Sequence, residues 1–171
     1  RGGNTLRAEW GLGDRFVVGY SGNLGRVHEF GTVLDAAEAV RSQADIVFLF
    51  IGGGAQKAAV AKAAQERGLS NILFKPYHPR ESLGQSLSAA DVHLVTLRPE
   101  FEGLVVPSKF YGVAAVGRPT IFIGDAEGEI GTVVREAQCG MCVRQGDIEG
   151  LVRVITTLRD ASKKAAADDK F

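Results

Sequence analysis

The stretch DIVFLFIGGG, residues 45–54, combines six consecutive apolar residues with three glycines. An unbroken apolar run of this length predicts a strand of a parallel sheet that is buried on both faces. The glycines predict a tight turn where the strand ends. Because three glycines are more than one turn needs, we expect the backbone at 52–54 to pass close to a ligand or a neighbouring domain.

The same unit, an apolar run followed by a segment with helical spacing, repeats along the chain. RFVVGYS at 15–21 precedes residues 29–43, in which Phe30, Val33 and Leu34 begin a helical spacing. The predicted strands lie at 15–21, 45–51, 71–77, 91–97, 119–124 and 141–143, and the predicted helices at 29–43, 55–68, 79–91, 107–117, 129–140 and 147–161. Strands and helices that alternate at this spacing form parallel βαβ units with right-handed crossovers. We therefore predict an α/β domain with a doubly wound parallel sheet of about six strands, of the Rossmann type, which binds ligands beyond the carboxyl ends of its strands.

The size and charge of the chain narrow its class. A length of 171 residues suffices for one domain with a sizeable core, and is too short for two. The 20 basic residues are balanced by 20 acidic ones, so no net charge favours nucleic acid or an anionic membrane as a partner, and a local basic pocket stays open as an alternative. The sequence shows neither a signal peptide nor an apolar run long enough to span a bilayer, so the expected location is the cytoplasm.

The ends of the chain predict that this domain belongs to a longer protein. The sequence begins RGGNTLRAEWGLGD, without an initial Met. We expect residues 1–14 to be a linker from a missing N-terminal domain, and the polar residues 162–171 to form a frayed tail.

The cysteines and histidines do not predict a metal site. Cys139 and Cys142 could form a redox or metal pair, but a structural zinc ion needs four ligands, so we interpret them as small buried residues beside a glycine turn. We expect His93 to be packed within its strand and His78 to lie beside a bound base. For His28 the expected contact is phosphate or an opposing domain.

Glycine-rich, polar residues follow the first predicted strand in the sequence SGNLGR, residues 21–26. Gly22 and Gly25 have no side chain that would block a ligand, and Arg26 adds positive charge. Amides at such a turn and at the following helix start favour an anion, typically phosphate. Two interpretations remain open: a phosphate-binding loop, or glycines that only make the turn. Neither GxGxxG nor GxxxxGK[ST] is present, so the usual dinucleotide and P-loop signatures are absent.

A second candidate for phosphate binding is EFEGLVVPSKFYG, residues 100–112. Pro107 is expected to start a helix, which places free amides near Ser108 and Lys109 at the same edge of the sheet. A hydroxyl, an ammonium group and a helix start together predict a diphosphate site.

Several stretches of the chain carry a family resemblance when taken in order: YSGNLGR, FLFIGGG, NILFKPYHPRESLGQSLSAADVHLV, VVPSKFYGVAAVGRPTI and QCGMCV. Together they resemble the C-terminal, nucleotide-sugar-binding domain of bacterial retaining group 1 glycosyltransferases, which have two facing Rossmann domains. The resemblance covers nearly the whole chain. It implies the donor-binding half of an enzyme that transfers a sugar to a cell-surface polysaccharide or lipid-linked acceptor, as in lipopolysaccharide, O-antigen and capsule synthesis.

The resemblance also implies the ligands and partners of this domain. The donor would be a UDP-sugar, with no further cofactor and no metal. The acceptor would bind to the missing N-terminal domain, through which the protein would contact the inner face of the membrane. The isolated domain would bind the donor weakly and transfer nothing.

The same resemblance assigns site residues. Residues 22–26 would meet the diphosphate or the acceptor domain, Tyr77 and His78 would flank the base, and residues 106–109 would hold the diphosphate. Arg26 and Lys109 would stabilise the leaving nucleoside diphosphate. The implied set is Gly22, Asn23, Gly25, Arg26, Gly52, Gly53, Gly54, Tyr77, His78, Glu102, Val106, Pro107, Ser108, Lys109 and Gly112.

Two departures from the family pattern leave other functions open. Many relatives carry an Arg-Lys pair where this chain has Asn23 and His28, and the glutamate that usually binds the ribose falls at Gly112. The absence of this glutamate favours a non-catalytic nucleotide-binding module as one alternative, and a nucleotide-sugar epimerase of the same architecture is another. A dehydrogenase is disfavoured, because the second strand ends in FLFIGGG without an acidic residue.

Overall fold

The computed structural model describes residues 4–105 and 108–168. Six parallel strands form one sheet in the order β3-β2-β1-β4-β5-β6. The strands are β1 Phe16–Ser21, β2 Ile46–Ile51, β3 Ile72–Lys75, β4 Val92–Thr96, β5 Thr120–Ile123 and β6 Gly140–Val143. This arrangement confirms the predicted doubly wound, Rossmann-like sheet.

Helices follow the strands on both faces of the sheet. They are α1 Thr5–Glu9, α2 Gly31–Ala39, α3 Lys57–Glu66, α4 Leu83–Ser88, α5 Lys109–Ala115, α6 Glu129–Glu136 and α7 Ile148–Asp168, with 3₁₀ turns at Arg80–Ser82 and Pro99–Phe101. Several helices begin later than the sequence predicts, because the residues of the predicted first turn form a 3₁₀ turn or a side-chain hydrogen bond instead. The segment predicted as a helix from residue 79 starts with a 3₁₀ turn, and Glu29 accepts a hydrogen bond from the Thr32 amide instead of joining α2.

The core lies on both faces of the central strands. All six residues of β2 are buried, as the unbroken apolar run predicts. Phe48 and Phe50 pack into the cluster that includes residues of α2, α3 and α7. Val47 and Leu49 point to the other face, where they pack with residues of the N-terminal segment. The alternation follows from the two-residue period of a strand.

The N-terminal segment belongs to the folded domain, in contrast to the linker expected at 1–14. The Asn4 side chain caps α1 by accepting hydrogen bonds from two backbone amides of its first turn, at 3.0 and 3.3 Å. Leu6, Trp10 and Leu12 are buried against the sheet. Arg7 donates to the Ala89 carbonyl at 2.7 Å. These contacts anchor residues 4–12 through packing that a linker would lack.

The C-terminal helix also extends further than expected. The predicted tail began at residue 162, whereas α7 continues to Asp168. Lys163 forms an ion pair with Asp45 at 2.7 Å, and Arg159 approaches the same carboxylate at 3.4 Å. The Lys163 contact ties the added turns of the helix to the loop before β2. Within the described ranges, no helix is both long and apolar enough to cross a membrane.

Candidate functional site

A cavity opens where the strand order reverses. The chain leaves β1 towards β2 on one side and leaves β4 towards β5 on the other, so the loops after β1 and β4 diverge. The resulting crevice has a volume of about 480 Å³. It is lined by Ser21, Gly22, Asn23, Val27, His28, Tyr77, Leu83, Leu87, Val105, Ser108, Lys109 and Gly112.

Six residues of the implied donor-binding set meet in this cavity: Gly22, Asn23, Tyr77, Ser108, Lys109 and Gly112. His28, which was expected to contact phosphate or an opposing domain, lines the cavity as well. The loops after β1, β3 and β4 therefore do lie at one edge of the sheet, as their positions after parallel strands predict. Val106 and Pro107 lie outside the described residues.

Other predicted residues lie near the cavity without lining it. Arg26 is exposed on the first loop. His78 packs edge-on against Trp10, with ring centroids 5.2 Å apart. Glu102 accepts a hydrogen bond from the Glu129 amide at 2.8 Å and so caps α6. A contact of these side chains with donor remains a prediction.

The three glycines after β2 accommodate other parts of the protein. A Cβ atom on Gly52, where φ is +138°, would collide with the carbonyl oxygen of Gly22. A Cβ atom on Gly54, where φ is +133°, would collide with the backbone of Leu24. The two loops are also joined by a 2.7 Å hydrogen bond from the Leu24 amide to the Gly53 carbonyl. The backbone at 52–54 was expected to pass close to a ligand or a neighbouring domain, whereas its close contacts are with the first loop of the same domain. Gly25 belongs to that first loop, and its carbonyl accepts a hydrogen bond from the Gln56 side chain.

Lys109 places its ammonium group at the wall of the cavity. The Nζ atom donates to the hydroxyl of Tyr20 and lies 4.1 Å from the centre of the Tyr20 ring. It also lies 3.1 Å from Nε2 of His28. Burial lowers the pKa of Lys109 to about 7. Among the described residues, no carboxylate forms an ion pair with Lys109, so its charge lacks an acidic partner.

His28 and Tyr20 are uncharged neighbours of this ammonium group. His28 is 6% exposed, and its Nδ1 lies 2.6 Å from the Thr96 carbonyl. Burial and the nearby Lys109 lower the pKa of His28 to about 4, against the effect of the Thr96 hydrogen bond. Burial, with a contribution from Tyr77, raises the pKa of Tyr20. Both side chains are therefore neutral near pH 7.

Tyr20 was missed in the sequence analysis, which assigned roles only from Gly22 onward. It is the penultimate residue of β1 and places a hydroxyl two residues before Gly22, after the apolar run at 16–18. A polar atom at the carboxyl end of a central parallel strand is the signal that could have identified it.

Gly112 leaves unfilled space at the cavity. A Cβ atom there would meet only Leu87 Cδ1, at 3.7 Å, which is an ordinary van der Waals contact. Close packing therefore does not explain the glycine at the position where the family resemblance implies a glutamate.

Cys139 and Cys142 lie away from this cavity, beside α6. Both thiols are free and partly buried, and both side chains pack against the apolar cluster that includes Ile130 and Val134. This packing supports their interpretation as small apolar residues.

The fold and the cavity together define a Rossmann-like domain with a cationic crevice at its topological switch point. The chain belongs to the family of group 1 glycosyl transferases, whose sequence model matches residues 15–160.

Two curated relatives illustrate this membership. The chain is 32% identical over 151 residues to WcaI of Escherichia coli (strain K12), a protein named for glycosyl transfer in colanic acid biosynthesis. The aligned region covers 87% of this chain and 37% of WcaI. The chain is 32% identical over 139 residues to WbjE of Pseudomonas aeruginosa, also named as a glycosyltransferase, covering 81% of this chain and 34% of the relative. The chain thus spans little more than a third of the length of these relatives.

Solved structures show the same fold. The Anabaena protein HepE in complex with UDP-glucose superposes with a TM-score of 0.76 at 20% identity, over 94% of this chain and 43% of HepE. WaaG, a glycosyltransferase involved in lipopolysaccharide biosynthesis, superposes with a TM-score of 0.72 at 17% identity, over 93% of this chain and 42% of WaaG.

Proposed function

We propose that this chain binds the nucleotide-sugar donor of a retaining glycosyltransferase, with a UDP-sugar as the donor. The observation that carries the proposal is the Lys109 ammonium group, which faces the switch-point cavity without an acidic partner among the described residues. A partly buried cation of this kind is stabilised by a bound anion. Family membership favours a nucleoside diphosphate as that anion, and the fold neighbour HepE binds UDP-glucose.

Lys109 would act on the leaving group of the transfer. When the bond between the anomeric carbon and the diphosphate oxygen breaks, negative charge develops on the nucleoside diphosphate. A positive group already placed beside that oxygen stabilises the charge, and more strongly in a partly enclosed site than in water. Ser108, on the same wall, would donate a hydrogen bond to a phosphate oxygen. Arg26, exposed on the neighbouring loop, would add charge when a ligand is bound.

Tyr77 would provide the surface for the base. Its ring is 58% exposed, lines the cavity, and lies over Gly53, where an added Cβ would be 3.4 Å from the ring. A ring supported on bare backbone presents a flat, apolar face against which a uracil ring can pack. His78, held against Trp10, would keep the following backbone in place.

The whole protein would contain a second domain for the acceptor. The chain spans 37% of WcaI and 34% of WbjE, so most of each relative lies outside the matched region. We propose an N-terminal acceptor domain, peripheral contact with the inner face of the membrane through that domain, and a polysaccharide or lipid-linked acceptor.

A thermal-shift panel with UDP, GDP, ADP, dTDP and uridine tests the donor proposal. A ligand at about 100 times its Kd stabilises the folded state by roughly 2.7 kcal/mol, which is measurable. We expect UDP to raise Tm more than the other diphosphates, and uridine to raise it least. The absence of a shift with every diphosphate at millimolar concentration would overturn the proposal. In the full-length protein, conversion of a UDP-sugar without acceptor would indicate an epimerase.

A further inference from the structure

The Lys109 ammonium group is held by two residues from a different part of the chain. Tyr20, at the end of β1, accepts a hydrogen bond from Nζ and places its ring 4.1 Å away. His28, in the loop before α2, places Nε2 3.1 Å from Nζ. Lys109 itself begins α5, 81 residues after His28. The ammonium position is therefore set by contacts between the two strand-end loops that border the cavity.

The hydrogen bonds determine which atoms donate. A carbonyl oxygen can only accept, so Nδ1 of His28 carries the proton that it shares with the Thr96 carbonyl, and Nε2 is an acceptor. The Tyr20 hydroxyl donates its proton to the Asn23 carbonyl at 2.8 Å, so its oxygen accepts from Lys109. An ammonium group has three N–H donors. Tyr20 and His28 take two of them, which leaves one N–H for a ligand in the cavity.

No acidic side chain in the described residues offsets the charge of Lys109. The carboxylate next to His28 in sequence, Glu29, accepts from the Thr32 amide at 2.9 Å. Arg98 donates to the His28 backbone carbonyl at 3.1 Å and so adds positive charge behind the imidazole.

The remaining elements around the cavity are neutral. Tyr77, from the loop after β3, contributes a phenol. Helix α4, whose Leu83 and Leu87 line the cavity, contains no ionisable residue, and α5 contains only Tyr111 besides Lys109.

We propose that Tyr20 and His28 are positioning residues for Lys109: they orient its one remaining N–H towards the diphosphate of the donor and determine the pH range in which it binds. This inference rests on the proposed donor-binding function.

The arrangement makes diphosphate binding sensitive to pH. Burial lowers the pKa of Lys109 to about 7, so the unliganded domain loses the ammonium charge as the pH rises above 7. A bound diphosphate favours the charged form. Above pH 7, binding would therefore require proton uptake, and UDP affinity should fall up to about tenfold per pH unit.

Substitutions at two positions test the positioning role through UDP binding, measured by calorimetry on the 171-residue chain between pH 6.5 and 9. Tyr20→Phe keeps the ring and removes the oxygen that accepts from Lys109. His28→Leu removes the Nε2 acceptor, and His28→Gln offers an amide oxygen in its place. Tyr20→Phe and His28→Leu each remove a hydrogen-bond acceptor that stabilises the charged form of Lys109. We therefore expect both of these variants to weaken UDP binding about 5- to 20-fold at pH 7.5. The pH at which affinity begins to fall should move lower, and His28→Gln should restore part of both effects.

Controls separate this inference from the proposed function. Tyr111→Phe is a matched control, because Tyr111 is exposed and packs on Phe110 rather than on Lys109. Lys109→Arg should give a nearly flat pH profile, since a guanidinium group stays charged. If wild type binds no nucleoside diphosphate, the proposed function fails. A second outcome would overturn the positioning role alone. In it, wild type binds UDP and Lys109→Met does not, whereas folded Tyr20→Phe and His28→Leu have the affinity and the pH profile of wild type. Melting curves without ligand identify any variant that has not folded.

Discussion

The ammonium nitrogen of Lys109 lies 3.1 Å from Nε2 of His28, a residue 81 positions earlier in the chain. His28 can only accept at this nitrogen, because its other ring nitrogen donates to the Thr96 carbonyl. The pair therefore fixes a cation beside a neutral imidazole at the mouth of the cavity.

Lys109→Met should weaken UDP binding much more than uridine binding. A charge-assisted hydrogen bond contributes roughly 1.5–3 kcal/mol, against about 1 kcal/mol for a neutral one, so the UDP Kd should rise about 10- to 150-fold. Calorimetry with both ligands measures the difference. Equal losses for UDP and uridine would mean that Lys109 does not contact phosphate.

The same substitution should stabilise the unliganded protein at low pH. The pKa of Lys109 is about 7 in the folded state, and its ordinary value, which applies to the unfolded chain, is 10.5. Folding therefore disfavours the charged form of Lys109. The resulting loss in the free energy of unfolding is largest below pH 7 and disappears as the pH rises from 7 to about 10.5. The Tm of Lys109→Met relative to wild type should be highest near pH 6 and fall across that window. A constant Tm difference from pH 6 to 9.5 would contradict the lowered pKa.

Acid should destabilise the domain through its two buried histidines. Burial is the main cause that lowers the pKa of both His28 and His93 to about 4, from a reference of 6.5. The unfolded chain therefore binds protons that the folded chain rejects, and stability should decrease as the pH falls from 6.5 towards 4. Each histidine contributes at most about 1.4 kcal/mol per pH unit.

Urea denaturation between pH 6 and 5 measures this slope, because most carboxylates do not titrate there. His28→Gln should remove about half of it, and leave the share due to His93. An unchanged slope in the variant would show that His28 titrates alike in the folded and unfolded states.

Gly112→Glu should strengthen donor binding without loss of the fold. Gly112 lines the cavity, and a Cβ atom there would meet only Leu87, at 3.7 Å, so the substitution can begin without a clash. The new carboxylate should accept hydrogen bonds from the ribose hydroxyls, which could lower the UDP Kd by about tenfold or more. Replacing glycine within a helix should also add roughly 0.5–1 kcal/mol of stability.

Gly112→Ala is the matched control, because it makes the same backbone change without the carboxylate. Thermal melts of both variants with and without UDP distinguish the two effects. Weaker UDP binding by Gly112→Glu than by Gly112→Ala would indicate that the carboxylate pairs with Lys109, and that the ribose lies elsewhere.

Trp10→Ala should destabilise the domain by about 3–5 kcal/mol, the usual cost of removing a buried large aromatic side chain. Trp10 is 7% exposed and packs against His78. Tyr111→Ala, at a 57% exposed position, should cost much less. Urea denaturation of both variants provides the comparison, and equal small effects would show that the N-terminal segment does not contribute to the core.

The strands could be predicted almost completely from the sequence, whereas the N-terminal helix α1 was not predicted. The apolar runs at 46–51 and 120–123 form buried strands because their neighbours cover both faces of the sheet. Residues 1–14 were expected to be a linker because the sequence begins without an initial Met, whereas the five-residue helix α1 is held in place by Leu6 and the following Trp10, which pack on the sheet. Its Asn4 cap was the one local signal available.

The sequence by itself determined the alternation of strands and helices, and with it the edge of the sheet at which Gly22, Tyr77 and Lys109 meet. These features follow from local patterns, since burial on a sheet and on a helix face imposes periods that can be read along the chain. Only the tertiary structure decided that Tyr20 and His28 hold Lys109, and that Glu102 caps α6. The charge state of Lys109 depends on how much water the assembled loops exclude and on which neutral groups surround it. That environment is made by residues far apart in sequence, so no local pattern encodes it.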